Sequence, residues 1–356
     1  MIYTSFNQIA LVLSVALCTA AQSYAVQAGY HVLYSYSGKT IPDSIFQAAA
    51  SGTIGGLILF GGNIDSTLPS QLSSLQSAYK QSSNYAGAPL LIVTDQEGGQ
   101  VNRLPGGPTL SAKKVGQASD PAAAASSAGA TVAQGFSTYK VNGNLAPVLG
   151  VYRSAGDFLD EYGRSYGMTA SLVAKCVGPF ISKLQSYGYA ATAKHFPGLG
   201  AASSSENTDE APVTINLSLS ELRSVDEVPY QTAITNGVKM VMPSWAVYPA
   251  LDGSRPSGLS SKWLKDELRG RLGFSGVTIS DAITAGGLRD YGSISNRAVL
   301  AVQAGMDIIV VTGNSPADGA TVVSALAAAV QNGQIASPAF SGSSQRILNL
   351  RKALAT

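Results

Sequence analysis

The 356-residue chain is 45% hydrophobic and holds 38 glycines, enough apolar material for a large core and many tight turns in one big domain or two ordinary ones. Only 12% of its residues are charged and the formal net charge is +2. That leaves no electrostatic footprint for nucleic acid and suits a polar, uncharged ligand.

The chain opens on a segment that reads as a secretory signal peptide, residues 1–25. Its apolar stretch from Ile9 to Leu17 is too short to span a bilayer and is followed by small residues, so cleavage fits after Ala20 or after Ala25. The segment lacks the usual Lys or Arg, and a buried first helix is the alternative. Cleavage would leave a secreted chain, residues 26–356, with no membrane attachment. It would also remove Cys18, so that Cys176 could form no intramolecular disulfide; set in the apolar pattern Leu172, Val173, Cys176, Val177, Phe180, it reads as a packed thiol. The sequon Asn216-Leu217-Ser218 is consistent with secretion.

From there short apolar runs alternate with longer helical patterns. The runs are His31 to Tyr36, Gly56 to Phe60, Pro89 to Thr94, Gly143 to Leu149, Tyr189 to Ala193, Lys239 to Met242, Gly276 to Ser280 and Asp307 to Val311. Between them lie helical periods at Leu68 to Gln81, Pro121 to Lys140, Thr169 to Tyr187, Leu219 to Thr235, Lys262 to Leu272 and Ser293 to Ala304, and two more, Ala317 to Gln331 and Ser343 to Leu354, end the chain. Ser218-Leu219-Ser220-Glu221 resembles a capping box, and Ser260 precedes the Lys262 helix. Alternating strand and helix predict an α/β protein, and eight strands is the number that closes a single (β/α)8 TIM-type barrel. No linker or internal repeat marks a second domain.

In such a barrel the chemistry sits where strands end. Asp281 closes the run Gly276-Val277-Thr278-Ile279-Ser280, so its carboxylate is expected at the carboxyl-terminal mouth; a helix cap for Ala282 onward is the bland alternative. Lys194 and His195 end the fifth run and enter Phe196-Pro197-Gly198, where the chain bends and both can reach one ligand. After the third run, Asp95 offers a carboxylate acceptor and Arg103 a planar fork of donors, a pairing suited to a sugar's rim. Arg164, in Gly163-Arg164-Ser165-Tyr166-Gly167, is a further cation. Either arginine could instead serve a structural ion pair. Glu97 reads as a support for the Asp95 loop.

Three strings, Thr94-Asp95-Gln96-Glu97-Gly98-Gly99-Gln100-Val101-Asn102-Arg103, Ala193-Lys194-His195-Phe196-Pro197-Gly198 and Gly276-Val277-Thr278-Ile279-Ser280-Asp281, resemble glycoside hydrolase family 3, and most closely its single-domain β-N-acetylglucosaminidases. The resemblance covers nearly the whole mature chain. It implies that Asp281 is the nucleophile of a retaining mechanism through a covalent glycosyl-enzyme. It further implies that Lys194 and His195 donate hydrogen bonds to sugar hydroxyls, that Asp95 binds the outer hydroxyls of the non-reducing sugar, and that Arg103 and Arg164 hold the same end.

The chain departs from this pattern in the loop after Gly198. The acetylglucosaminidases carry a second His there and an Asp-Ser-His triplet whose Asp and His act as acid/base. Here the stretch Gly198 to Glu210 holds no histidine, and His31, the only other imidazole, lies near the first strand. A carboxylic acid must then protonate the leaving group. Glu206, whose longer side chain follows a Ser-rich hinge, is favoured over Asp209, which could instead cap a turn with Asn207 and Thr208. Gly150 stands where the family usually has Asp. Trp245 stands where a His is common, free to stack on a sugar or to fill core space. The expectation is a secreted exo-β-glycosidase for N-acetylglucosamine, with chitin fragments as substrate and neither metal nor cofactor. A β-glucosidase, a transglycosylating variant and a carbohydrate-binding pseudoenzyme are the alternatives.

Overall fold

The computed structural model describes residues 24–355. Eight strands close into a parallel barrel: β1 (Val32–Tyr34), β2 (Gly56–Leu59), β3 (Leu91–Thr94), β4 (Gly143–Asn144), β5 (Ala190–Phe196), β6 (Met240–Pro243), β7 (Val277–Ala282) and β8 (Ile308–Val310). Each pairs with its neighbours in sequence, and β8 returns to β1 through the register Val32 to Ile309. All eight expected strands form, as do all eight helical segments. The signal-peptide segment and Cys18 lie almost wholly or wholly outside the described residues, while Cys176 is buried and burial pushes its thiol up to about 11.

Local chemistry explains the helix boundaries. Asp120 accepts from the backbone N–H groups of Ala122 and Ala123 ahead of the helix Pro121–Tyr139, Thr169 caps Ala170–Gln185, and Ser293 caps Ile294–Ala304. The segments Leu222–Asp226 and Lys262–Arg271 are wound wider than an α-helix, with i→i+5 bonds such as Leu272 N–H to Glu267 O. The expected fourth strand is shorter than its apolar run. Regular strand pairing stops at Asn144, and beyond it the chain keeps separate bonds to its neighbours, Leu145 N–H to Thr94 O and Thr192 N–H to Ala146 O, and a bridge from Val148 to Lys194. No helix among the described residues is long and apolar enough to cross a membrane.

The interior has two layers of packing. Strand and helix side chains form the large outer core, while inward-facing residues of the strands fill the barrel itself. The barrel's lower end is closed by the helix Ser337–Lys352 through Ile347 and Leu350, with Leu354 just beyond it. His31 belongs to this end: its Nδ1 meets Asp307 O at 2.7 Å, its Nε2 meets Ser344 Oγ at 2.8 Å, and its ring stacks on Phe340. Burial pulls its pKa down to about 4, so it is a neutral structural imidazole. At the upper end Ile58, Leu145, Met242 and Val310, one from each even strand or the residue just after it, make the layer of four that such barrels stack. That apolar layer is the floor of the site.

Candidate active site

Above that floor lies a cavity of about 430 Å³, within the range of small-ligand pockets, at the carboxyl-terminal mouth of the barrel. Asp95, Arg103, Arg164, Lys194, His195, Asp209 and Asp281 all line it. Two irregularities aim the strand-borne groups. The pairing of β5 with β6 shifts register between Lys194 and Phe196, so that Lys194 and His195, adjacent in sequence, both face the cavity. The pairing of β7 with β8 shifts between Ile279 and Ala282, around Asp281. Asp281 is therefore a strand-end residue, and no helix starts at Ala282.

The charged groups form a network centred on Glu97. Arg164 donates twice to its carboxylate, from Nε and from Nη2, each at 2.9 Å. Lys194 Nζ lies 2.8 Å from both Glu97 Oε1 and Asp95 Oδ1. Burial alone would keep Glu97 neutral, but the two cations outweigh it and hold its carboxyl well below the usual range. Burial likewise opposes the charge on Lys194, and Asp95 and Glu97 more than restore it. The Asp95 loop is itself held by Asn144, whose amide accepts from Gln96 N–H and donates to Gln96 O.

Arg103 is different. It lines the cavity, and its buried Nε has no partner among the described residues. His195 Nδ1 is also unpartnered, and its Nε2 lies 3.7 Å from Asp281 Oδ2, too far for a hydrogen bond. Burial and the nearby charges of Lys194 and Arg164 keep this imidazole neutral.

Asp281 accepts from its neighbour Ala282 N–H at 2.7 Å. Burial, and then the negative charge of Asp209, push its carboxyl up to about 6. Asp209 is reachable by solvent through the mouth yet walled by protein on most sides, and burial raises its carboxyl too, against the pull of Arg164 and Lys194. Two carboxyls thus share one cavity and resist ionising together.

Two expected site residues sit elsewhere. Glu206 does not line the cavity: it turns back on its own loop, accepting from Ser203 N–H at 2.8 Å and Ser203 Oγ at 2.9 Å. The Ser-rich stretch consumes that carboxylate in closing a turn. The turn at Asp209 is made instead by Asn207, whose Oδ1 accepts from Asp209 N–H, and the Asp209 carboxylate is left free for the cavity. Trp245 is core. It is only 1% exposed, it does not line the cavity, and its indole N–H donates to Ala282 O at 3.0 Å. At Gly150 a Cβ would lie 2.3 Å from Leu159 Cδ1 and 3.2 Å from Gly200 N, so an aspartate there would have to displace the Leu159 side chain and press on the Gly200 backbone. Phe60, Thr284, Thr312 and Asn314 also line the cavity, all beyond the ends of β2, β7 and β8.

A closed barrel whose ionisable side chains converge on one mouth, with a carboxylate pair and free donors, is built as an enzyme for a hydroxyl-rich substrate. The model of the glycosyl hydrolase family 3 N-terminal domain matches residues 36–350, and the chain belongs to that family as a glycoside hydrolase. It is 48% identical over 352 residues to a protein of Arthroderma benhamiae described as an uncharacterized secreted glycosyl hydrolase, with 99% of either chain covered. It is 31% identical over 287 residues to a beta-hexosaminidase of Nitrosomonas eutropha, covering 79% of this chain and 80% of that one. Among solved structures it is similar to a family 3 β-N-acetylglucosaminidase from a Paenibacillus species, with a TM-score of 0.86 and 30% identity over 92% of this chain and 62% of that longer one.

Proposed function

We propose that this protein is a secreted, retaining exo-β-N-acetylglucosaminidase in which Asp281 is the nucleophile and Asp209 the acid/base. The observation that carries it is the pairing of those two carboxyls across one cavity, with Asp281 at a barrel strand end and Asp209 on a loop. In the first step an Asp281 oxygen attacks the anomeric carbon, the glycosidic bond breaks, and the Asp209 proton passes to the departing oxygen. In the second, Asp209 takes a proton from water, whose oxygen displaces Asp281 and leaves the β-anomer. The Ala282 N–H and Lys194 favour the anion at Asp281, whereas the Asp209 carboxyl accepts no hydrogen bond among the described residues, so the shared proton rests on Asp209.

Asp95, Arg103, Arg164, Lys194 and His195 hold the ring. Strands four apart in an eight-stranded barrel face each other, so this cluster on the β3 to β5 side lies opposite β7 and β8. The leaving group then meets Thr284, Thr312 and Asn314, none of them charged, which suits a neutral aglycone such as the next sugar of a chitin fragment. The apolar segment at Ile9 to Leu17 and the secreted description of the Arthroderma relative support export. Residues 24–29 are helical and Tyr24 packs against the core, so cleavage after Ala20 preserves a contact and a helical turn that cleavage after Ala25 would remove.

The test is a panel of para-nitrophenyl α- and β-glycosides together with chitobiose, with the product anomer followed by NMR. Preferred cleavage of the N-acetyl-β-glucosaminide with the β-anomer released first supports the proposal. Release of the α-anomer, or no cleavage of any glycoside, overturns it.

A further inference from the structure

The loop that carries Asp209 is not free. It is bonded to the chain that follows the Asp281 strand, at Gly286 and Gly287. Gly286 N–H donates to Asp209 O at 2.7 Å and Gly287 N–H donates to Thr208 O at 2.9 Å. Both bonds are main chain to main chain, so they hold the backbone of Asp209 itself rather than a side chain nearby. The approach is too close for any other residue type. A Cβ at position 286 would stand 2.1 Å from Glu210 O and 2.4 Å from its carbonyl carbon, and one at 287 would stand 2.8 Å from Thr208 O. Neither glycine has a positive φ, so the missing side chain, not backbone freedom, is what these positions require. Trp245 stands behind the contact: its Cβ is the side-chain atom nearest a Cβ at 287, and its indole N–H holds Ala282 O, one residue beyond Asp281.

We infer that Gly286 and Gly287 are positioning residues that tie the Asp209 loop to the Asp281 strand and so fix the separation of the two carboxyls. The inference rests on the assignment of Asp209 and Asp281 as acid/base and nucleophile. A retaining glycosidase needs its carboxyls about 5 to 5.5 Å apart, and a misplacement of about 1 Å can cost about 100-fold. A loop left to wander would deliver its proton only in the fraction of time it is closed. Here the six residues from Asp281 to Gly286 connect the nucleophile to the backbone of the acid, a short and direct brace.

The experiment uses the full-length protein and compares Gly286→Ala, Gly287→Ala and Asp209→Ala on two substrates, chitobiose and para-nitrophenyl N-acetyl-β-glucosaminide. The sugar leaving group needs a proton and nitrophenolate hardly does. Gly286→Ala is expected to lose at least about 100-fold in kcat on chitobiose. It should keep the nitrophenolate burst within a few fold, and added azide should speed its turnover by capturing the glycosyl-enzyme as the β-azide. Gly287→Ala, with the smaller clash, should move the same way by less. A Gly286→Ala protein that matches wild type on both substrates, that falls equally on both without responding to azide, or that fails to fold while Gly287→Ala is unaffected, overturns the inference. If Asp209→Ala itself shows no dependence on the leaving group, the fault lies in the acid assignment; if it does and the glycine variants do not, only the brace is wrong.

Discussion

Arg164 grips Glu97 with two parallel hydrogen bonds of 2.9 Å each, and the same carboxylate holds Lys194 at 2.8 Å. Glu97 is buried, so it is the counter-charge that allows two cations to stand in the mouth of an otherwise apolar barrel. Glu97→Gln keeps the shape and removes that charge. The variant is expected to lose about 3 to 5 kcal/mol of stability, seen as a drop in Tm, and to raise KM as Lys194 and Arg164 shift. An unchanged Tm and KM would mean that water solvates the two cations as well as Glu97 does.

Asp281→Asn preserves volume while leaving a much poorer nucleophile. Turnover of para-nitrophenyl N-acetyl-β-glucosaminide should fall by several orders of magnitude with the circular dichroism spectrum intact. Near-normal rates would remove Asp281 from the nucleophile's position.

Lys194→Ala and His195→Ala should each weaken transition-state stabilisation by about 2 to 4 kcal/mol in kcat/KM, because both donors work in a desolvated setting. Lys194→Ala should also lower Tm, since it leaves Asp95 and Glu97 facing each other, whereas the unpartnered Nδ1 of His195 makes that imidazole the less structural of the two. Wild-type kinetics in either variant would make that residue scaffold.

The pH profile follows from the shared cavity. In the proposed mechanism activity requires Asp281 ionised and Asp209 protonated, and both carboxyls are raised. Burial raises Asp281, so the acid limb of kcat/KM should fall above the ordinary carboxylate range, with loss as pH drops through it. Asp209 is already neutral on that limb, so Asp209→Asn should leave it in place on the activated aryl substrate and abolish the alkaline limb instead. A limb that moves to lower pH would show that Asp209 is charged in the active form and that the proton rests on Asp281.

Most of the frame was legible in the sequence because each strand is a compact apolar run, and several mouth residues come at or just after one, as Asp95 follows Thr94 and Asp281 follows Ser280. Strand identity needs only local pattern. What the pattern could not supply was the choice between Glu206 and Asp209. Loop length and side-chain reach pointed to Glu206, but the outcome turned on which hydroxyls and N–H groups closed the turn, and Ser203 took Glu206. Trp245 was equally undetermined, since an indole that fills core and one that stacks on a sugar follow the same Pro-Ser string; its bond to Ala282 O decides it. Gly286 and Gly287 gave no signal beyond a doublet, because their role depends on a chain segment about 75 residues earlier coming within 3 Å.

The remaining prediction concerns stability away from the cavity. Asp226 is fully buried; one carboxylate oxygen takes a 2.6 Å bond from Arg153 and the other, Oδ1, has no partner. Burial pushes its carboxyl up to about 6, more than Arg153 pulls it down. The folded state thus binds this proton more tightly than the unfolded chain. Stability from this group is fully present below the ordinary carboxylate pKa and declines as pH rises through about 6, by about 3 kcal/mol in all. Asp226→Asn keeps an acceptor for Arg153 and abolishes the titration. Relative to wild type the variant should gain Tm at pH 7, and the gain should vanish by pH 4. An equal shift in Tm at both pH values would show that the ion pair with Arg153, not the cost of charging Asp226, governs this part of the fold.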